Sequence, residues 1–236
     1  MRIKGFMLAV LAACPAHAEE DAHKHAHGGQ VFHMLRLEAG TGMDVHGGSA
    51  QTWHLNGWLG TDEHKLWLKS EGKRRESDWE QAEVWALYSR NVADFWDVQI
   101  GLRQDAEPLR RTSLAAGVEG LAPYFFETEA HVFLSDKGEA SLRLRQETDL
   151  LLTQRWILQP FVEAEAFARD LPERHTGAGL AHVETGLQLR YELTPRLAFY
   201  GEAEYGRKFG ETSLRAREHG EDVEETTGLL GIRMLF

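Results

Sequence analysis

The sequence has almost no cysteine, since Cys14 is the one cysteine among 236 residues. Cys14 lies within an N-terminal segment that has the plan of an export signal, so we predict that the mature chain contains no cysteine at all. Disulfides and thiolate metal sites are thereby excluded. Any metal ion must then be bound by His, Met or carboxylate side chains.

The first 18 residues follow the plan of a bacterial signal peptide. Two basic residues precede an apolar stretch from Gly5 to Ala13, and the small-x-small cleavage site Ala16-His17-Ala18 follows. We expect cleavage after this site, so that the mature protein begins at Glu19. An alternative is that the lipobox-like run Leu11-Ala12-Ala13-Cys14 directs lipidation of its cysteine instead.

Long apolar runs and positive charge are also scarce. After the signal no run of about 18 to 20 apolar residues occurs, which excludes a membrane-spanning helix. The formal net charge is -11 at pH 7. This charge argues against nucleic acid as a partner and favours the attraction of cations.

From Gln30 onward the sequence repeats one plan, in which about ten residues of alternating character are followed by a turn or loop. The clearest segment is 125–135. Apolar and small side chains share one of its faces: Phe126, Thr128, Ala130, Val132 and Leu134. Polar side chains share the other face: Glu127, Glu129 and His131. Lipid suits the first face and water suits the second.

This pattern predicts a closed antiparallel transmembrane β-barrel of the outer membrane, an all-β fold with about twelve strands. The predicted strands lie near 30–40, 51–60, 65–73, 80–91, 96–105, 112–121, 125–136, 139–150, 157–168, 179–192, 196–208 and 225–236. Short periplasmic turns are predicted to alternate with external loops at 41–50, 169–178 and 209–224. Because Asp136-Lys137-Gly138 is short for an external loop, ten strands remain an alternative.

Aromatic residues support the membrane interpretation over a soluble β-sandwich or lipocalin-like protein. Phe236 at the C-terminus resembles the terminal-strand signal of outer-membrane barrels. Other aromatic residues lie near the predicted periplasmic turns, where an interfacial girdle belongs: Phe95, Trp96, Tyr124, Phe125 and Trp156. The predicted organisation is therefore a signal peptide (1–18), a short disordered His-rich periplasmic tail (19–29) and a barrel (30–236).

Several stretches resemble the copper resistance protein B family (CopB/PcoB), and they run in order over nearly all of the mature chain. The longest is Trp58-Leu59-Gly60-Thr61-Asp62-Glu63-His64-Lys65-Leu66-Trp67-Leu68-Lys69-Ser70-Glu71-Gly72. Shorter ones include Phe95-Trp96-Asp97-Val98-Gln99, Gly120-Leu121-Ala122-Pro123-Tyr124-Phe125, Leu134-Ser135-Asp136-Lys137-Gly138, Leu150-Leu151-Leu152-Thr153-Gln154-Arg155 and Gly220-Glu221-Asp222-Val223.

This resemblance implies an outer-membrane barrel in a periplasmic copper-handling system, with a multicopper oxidase as a usual companion. The sequence also departs from the family. Members commonly carry a long Met- and His-rich segment before the barrel, whereas here Glu19 to Gly29 precedes it and contains no Met. The departure argues against a large capacity for copper storage.

Two groups of residues are candidate copper ligands. His23, His25 and His27 alternate in a tail without apolar content, so their imidazoles are free to converge on a divalent ion such as Cu(II). Met34, Met43, His46 and His54 bring thioether and imidazole together around the first hairpins, a combination that suits copper. Parity places Met34 and His54 in the lumen. Packing or wall hydrogen bonding is the alternative role for this second group.

The predicted lumen is also rich in carboxylates that outnumber its basic residues. They are Glu127, Glu129, Glu147, Asp149, Glu163, Glu165, Glu184, Glu192, Glu202 and Glu204. Such a set either forms a charge-paired network that fills a narrow barrel or lines a cation-selective path, and both roles are compatible.

Three functions are compatible with such a barrel. The first is copper resistance and homeostasis, with copper bound and then passed across the membrane or sequestered, the direction being open. The others are a lipid-modifying barrel enzyme and a passive cation-preferring porin. No nucleophile motif surrounds Ser113, Ser141 or His131, so we predict no catalytic residue and no enzyme activity. Copper ions and outer-membrane lipid are the expected partners.

Overall fold

The computed structural model describes residues 30–76 and 78–236. The predicted signal peptide and the His-rich tail lie outside the described residues. Within them the chain is almost entirely antiparallel β-strand. The strands are β1 (Phe32–Asp44), β2 (Ser49–Gly60), β3 (His64–Arg75), β4 (Asp78–Ala93), β5 (Trp96–Glu107), β6 (Arg111–Ala122), β7 (Phe126–Ser135), β8 (Ala140–Glu147), β9 (Leu150–Leu151), β10 (Trp156–Phe167), β11 (Gly179–Thr194), β12 (Leu197–Lys208) and β13 (Glu224–Leu235).

These segments form a closed ring of twelve strands. The short β9 continues the line of β8, because both pair with β10 along the same edge. Each strand pairs with its neighbour in sequence, and β1 pairs with β13 over a register that runs from Arg36 opposite Leu235 to Asp44 opposite Thr227. Closure removes the sheet edges, whose free N–H and C=O groups lipid could not satisfy. The prediction of a twelve-stranded barrel is confirmed, and the ten-stranded alternative is not.

In a soluble protein, apolar side chains face inward and charged ones face outward. The wall of this barrel has the opposite arrangement. Large apolar side chains are exposed on the outward face, as at Leu66, Ile100 and Val132. Charged side chains are buried on the inward face, as at Lys69, with 3% of its surface exposed, and Glu83, with 2%. This arrangement costs free energy in water but suits lipid outside and a polar lumen inside.

Short connections join most neighbouring strands at both ends of the barrel, and the two long ones, 168–178 and 209–223, lie at one end. The predicted alternation of short turns with longer external loops is therefore wrong for the other external connections. Turns of a few residues lie at the end where β1 begins and β13 ends, which is the periplasmic end by the usual asymmetry of such barrels. At the external end the predicted loop 41–50 is wrong in extent, because β1 and β2 extend to Asp44 and Ser49 and leave only 45–48 between them. The hairpin at 136–139 closes tightly because Gly138 adopts a positive φ of 72°.

The connection from β12 to β13, predicted as an irregular loop, contains helix α1 (Gly210–His219). Gly220 ends the helix in the left-handed conformation, and its N–H bonds the carbonyls of Ala216 and Arg217. Thr212 and Ala216 are the buried residues of α1. In the described part of the chain, no helix has the length and apolar character needed to cross a membrane.

The β1–β13 register is testable by cross-linking. Thr41 and Leu230 lie directly opposite each other on the outward face, a separation that suits a disulfide. In a Cys14→Ser background we expect T41C/L230C to oxidise into an intramolecular bond that changes migration in non-reducing gels. The offset pair T41C/M234C is the control. Equal cross-linking of both pairs, or none of the first, would show that the ring closes in another register.

Candidate functional site: the charged lumen

Three cavities follow one another along the lumen. The upper cavity, of about 320 Å³, lies at the external end, and the lower one, of about 220 Å³, lies at the periplasmic end. Between them a middle cavity of about 60 Å³ marks the narrowest part. His54, Glu71 and Arg145 line both the upper and the middle cavities. Arg36 and Arg233 line both the middle and the lower ones, so the three spaces are stacked and share walls.

Buried ion pairs join inward-facing side chains, both between neighbouring strands and across the lumen, as from Arg143 of β8 to Glu83 of β4. Oε1 of Glu83 lies 2.6 Å from Nη1 of Arg143, and Oε2 of Glu83 lies 2.9 Å from Nη2 of Arg103. On another side Arg233 lies 2.9 Å from Glu38. A buried charge is tolerated when it is paired and hydrogen-bonded. These pairs therefore fill the lumen and fix the strands relative to one another.

Two lysines from β3 each bridge two carboxylates. Lys69 Nζ donates to Glu119 at 2.8 Å and to Glu129 at 2.6 Å. Lys73 Nζ donates to Glu184 at 3.2 Å and to Glu204 at 3.1 Å, on strands on the far side of the barrel. One positive charge between two negative ones leaves a local negative excess, which favours a cation nearby.

Aromatic side chains fill the part of the lumen beside β3 to β7. Trp85 meets Phe133 edge to face with ring centroids 5.0 Å apart. The guanidinium carbon of Arg103 lies 4.6 Å from the centre of the Phe133 ring, and Lys69 Nζ lies 5.3 Å from that of Trp67. Cation–π contacts of this kind hold the charges against the wall. The lower cavity lies on the opposite side, beside β1 and β11 to β13, whereas the upper cavity is also lined by Lys73 of β3, Glu83 of β4 and Arg103 of β5.

Charge changes sign along the axis of the lumen. Seven carboxylates and four cationic side chains line the middle cavity. The lower cavity is basic, since Arg36, Arg190, Arg196 and Arg233 face the single carboxylate Glu192. A cation is therefore stabilised beside the carboxylates of the middle cavity and less favoured in the lower cavity, where Asp149 and Glu38 offset part of the charge of Arg190 and Arg233.

The structure places the two candidate luminal ligands in successive cavities. Met34 lines the lower cavity, and His54 lines the upper and middle ones. His54 is level with Glu38, which is four residues beyond Met34 on β1. At the rise of a strand this separates the two residues by about 13 Å along the axis. They face the same lumen but cannot bind one ion together.

Met43 and His46 lie elsewhere, so the four residues expected around the first hairpins do not form one group. Met43 is on the outward face near the external end and is 66% exposed. His46 is exposed in the 45–48 turn, where its N–H bonds Asp44. The long β1 explains the separation, because Met34 and Met43 are nine positions apart on one strand, about 30 Å. Copper ligation by each residue stays a prediction.

His23, His25 and His27 lie outside the described residues, so their role also stays a prediction. Within 30–76 and 78–236, no group of three or more His, Cys, Asp or Glu side chains is arranged to hold a metal ion. Any site among these residues must therefore use fewer of these side chains, add a Met thioether, or be completed by water or the tail.

Sequence reasoning missed the luminal residues on β3 and β4. These include Lys69, Lys73, Glu71 and Glu83. Their inward positions alternate correctly, but Trp67 and Trp85 share the same inward face. On these strands apolar residues occur on both faces, so a search for strands with apolar residues on one face alone does not find them. A search for charge at every second position would have identified Lys65, Lys69 and Lys73 as one face.

The residues considered for an enzyme are not brought together. His131 Nε2 lies 2.8 Å from Gln99 Oε1, and its ring contacts Trp85 edge to face. Ser113 lies opposite Ser135, four positions along β7 from His131. The hydrogen bond of this imidazole is therefore with an amide, not a serine hydroxyl.

A closed barrel with apolar residues outside and charges inside defines an outer-membrane protein. Solved porins share the fold. The NanC porin has a TM-score of 0.57 at 14% identity, over 85% of this chain and 98% of that one. The KdgM porin has a TM-score of 0.55 at 12% identity, over 85% and 99%. At such identities the likeness concerns the fold alone.

The chain belongs to the copper resistance protein B family, whose model, described as copper resistance protein B precursor (CopB), matches residues 32–236. The copper resistance protein B homolog of Pseudomonas syringae pv. tomato is 42% identical over 82% of this chain and 66% of its own length. Copper resistance protein B of Escherichia coli is 41% identical over 78% and 63%. The chain thus spans slightly less than two thirds of the length of these relatives. The family resemblance seen in the sequence is confirmed.

The ion pairs around Glu83 predict a large stability effect. Glu83→Ala removes the shortest ion pair of Arg143 and one of the two of Arg103, which keeps Asp105 at 2.6 Å. We expect the buried donors left unsatisfied to cost about 1 to 3 kcal/mol of unfolding free energy. Denaturant unfolding in detergent, followed by tryptophan fluorescence, measures this loss. The control is Glu224→Ala, which removes the exposed pair with Arg207 at 3.5 Å and should change stability by less than about 1 kcal/mol. Similar losses in both variants would contradict the structural role of the network.

Proposed function

We propose that this chain is a copper resistance protein that binds copper ions within its barrel and passes them along the lumen. Its family membership supports a role in copper resistance. The observation that carries the finer proposal is the location of Met34 and His54 in successive cavities on the same side of the lumen. A thioether and an imidazole in sequence form two steps of a copper path.

Ligand softness supports copper over other cations. Thioether sulfur selects Cu(I), imidazole suits both copper oxidation states, and neither is favoured by Mg²⁺ or Ca²⁺. Met34 lies near the start of β1, at the periplasmic mouth. The tail with His23, His25 and His27 precedes β1 in the sequence. We infer that the tail histidines capture copper first and that Met34 then receives it. A periplasmic multicopper oxidase is the expected companion, and outer-membrane lipid surrounds the wall.

The basic lower cavity favours a ligand-dependent path over a passive cation-preferring porin. Four arginines line the lower cavity and disfavour a hydrated cation there, although Glu38 and Asp149 offset part of their charge. A copper ion that binds the thioether of Met34 enters more easily than a hydrated cation, because the free energy of this contact offsets part of the repulsion. The acidic middle cavity is the observation that favours the porin alternative, so conductance must separate the two.

The double variant Met34→Leu/His54→Ala tests the path. Leu has a volume close to that of Met, and His54 borders water-sized space, so we expect the barrel to fold. Copper binding to the purified full chain should lose its tighter luminal component, and cells carrying the variant should lose copper tolerance. Heat-modifiable gel migration verifies that the barrel has formed.

A matched double variant, Met234→Leu/His64→Ala, removes the same two residue types elsewhere. Met234 lies opposite Leu37, which faces outward by alternation, and His64 is exposed at the periplasmic end, where it contacts Tyr88. It should retain copper binding and tolerance. If the luminal double variant also retains both, the assignment of Met34 and His54 is wrong, whereas equal tolerance with and without the gene refutes the copper role itself.

Ion selectivity provides an independent prediction. In planar bilayers with a salt gradient, we expect small conductance and a reversal potential of cation preference, because carboxylates exceed cationic groups in the narrowest cavity. Arg233→Gln should strengthen that preference, since it removes a positive charge shared by the middle and lower cavities. Anion preference in the unaltered barrel would leave the carboxylates with a structural role alone.

A further inference from the structure

Two histidines meet at the external mouth, far from Met34. His175 lies in the 168–178 connection between β10 and β11, and His219 is the last residue of α1. Their rings stack with centroids 3.9 Å apart at an interplanar angle of 17°. Like charges at this separation repel, so the pair is favoured when at least one ring is neutral and able to bind a metal.

Hydrogen bonds orient both rings in the way that metal-binding histidines are oriented. His219 Nδ1 lies 2.8 Å from the backbone oxygen of Arg215, which can only accept, so Nδ1 carries the proton. His175 Nδ1 lies 2.8 Å from Glu221 Oε1. A carboxylate likewise accepts only. In the neutral form of each ring, Nε2 then carries the free lone pair, and an imidazole bound through Nδ1–H to a carbonyl or carboxylate is the usual partner of a metal.

Glu221 contacts both a lysine and the ring of His175. Lys208 Nζ lies 2.7 Å from Glu221 Oε2, and His175 is bonded to the other oxygen. Glu221 is therefore a positioning residue that fixes the tautomer and the direction of the His175 ring.

Further contacts hold the loop and the helix together beneath the two rings. Gly177 N–H donates to Thr212 Oγ1 at 2.9 Å. Arg215 donates to the Thr176 carbonyl at 3.0 Å and lies 3.0 Å from Asp170. The backbone of His175 adopts the left-handed region, with φ of 53°, which a bulky residue rarely does unless its surroundings impose it. The pair is thus positioned by its surroundings.

We propose that His175 and His219 bind one divalent cation of the class that prefers imidazole, with Cu(II) as the strongest candidate, at the external mouth of the barrel. Because the Nε2 lone pair lies in the plane of its ring, the two rings turn out of the stack to converge on one ion through Nε2, and water completes the coordination. Among the divalent first-row ions Cu(II) binds nitrogen ligands most tightly. The ion links the 168–178 connection to α1 above the upper cavity. The proposal rests on the proposed function only in the choice of copper as the probe.

Cu(II) binding to the full chain in detergent tests this site in a background where His23, His25 and His27 are replaced by Asn. Pulsed electron paramagnetic resonance should count two imidazoles on one ion. His175→Gln and His219→Gln should each weaken binding at least about tenfold, and the double variant should lose less than the sum of the two, because both rings hold one ion. His64→Gln, at the opposite end, is the control and should leave binding unchanged.

Glu221→Gln separates positioning from ligation. It keeps an acceptor oxygen but removes the charge, so we expect about tenfold weaker binding with two imidazoles still counted. A single imidazole, additive losses, or an equal effect of His64→Gln would overturn the proposal. Failure of this site leaves the tests on Met34 and His54 unaffected. Unchanged copper tolerance on deletion of the gene would refute the proposed function without affecting Cu(II) binding measured on the purified barrel.

Discussion

Closure of the sheet within lipid is the constraint on which the other features depend. Because lipid cannot bond backbone N–H and C=O groups, β1 must pair with β13, and every second side chain then points into a narrow ring. A charge there has little water to solvate it. The luminal carboxylates are therefore stable because Lys69, Lys73, Arg103 and Arg143 reach across to them. The side chains that fill this lumen are therefore the same ones that neutralise its charges.

Side chains fill one part of the lumen more completely than the rest. Beside β3 to β7, Trp85 and Phe133 fill the space and the guanidinium of Arg103 lies against the Phe133 ring. Open volume remains beside β1 and the C-terminal strands, and Met34 and His54 both line it. An ion in the remaining space must move past paired side chains, and not through a wide aqueous pore. Such a passage favours exchange between ligands over free diffusion.

The sequence predicted the wall better than the lumen. Alternation fixes which face of a strand meets lipid, so the strand number and most turns followed from period and turn residues alone. The helix at 210–219 was missed because contacts with the barrel, such as the buried Thr212, stabilise it more than any periodic pattern in the sequence does. Met34, Met43, His46 and His54 are close in the sequence, yet one long strand separates them along the axis. Proximity in sequence predicts proximity in space poorly within a β-strand.

The change of charge sign along the axis affects which part of the lumen a cation occupies. Arginines surround the lower cavity, whereas carboxylates are in excess in the middle and at the external end. The side chains that line these cavities therefore favour a cation in the middle and upper cavities over the lower one. This field shifts occupancy outward but drives no net flux, because it acts equally on ions moving in either direction. A net flux requires a difference in copper concentration, and a ligand such as Met34 is what can hold an ion at the mouth that the field disfavours.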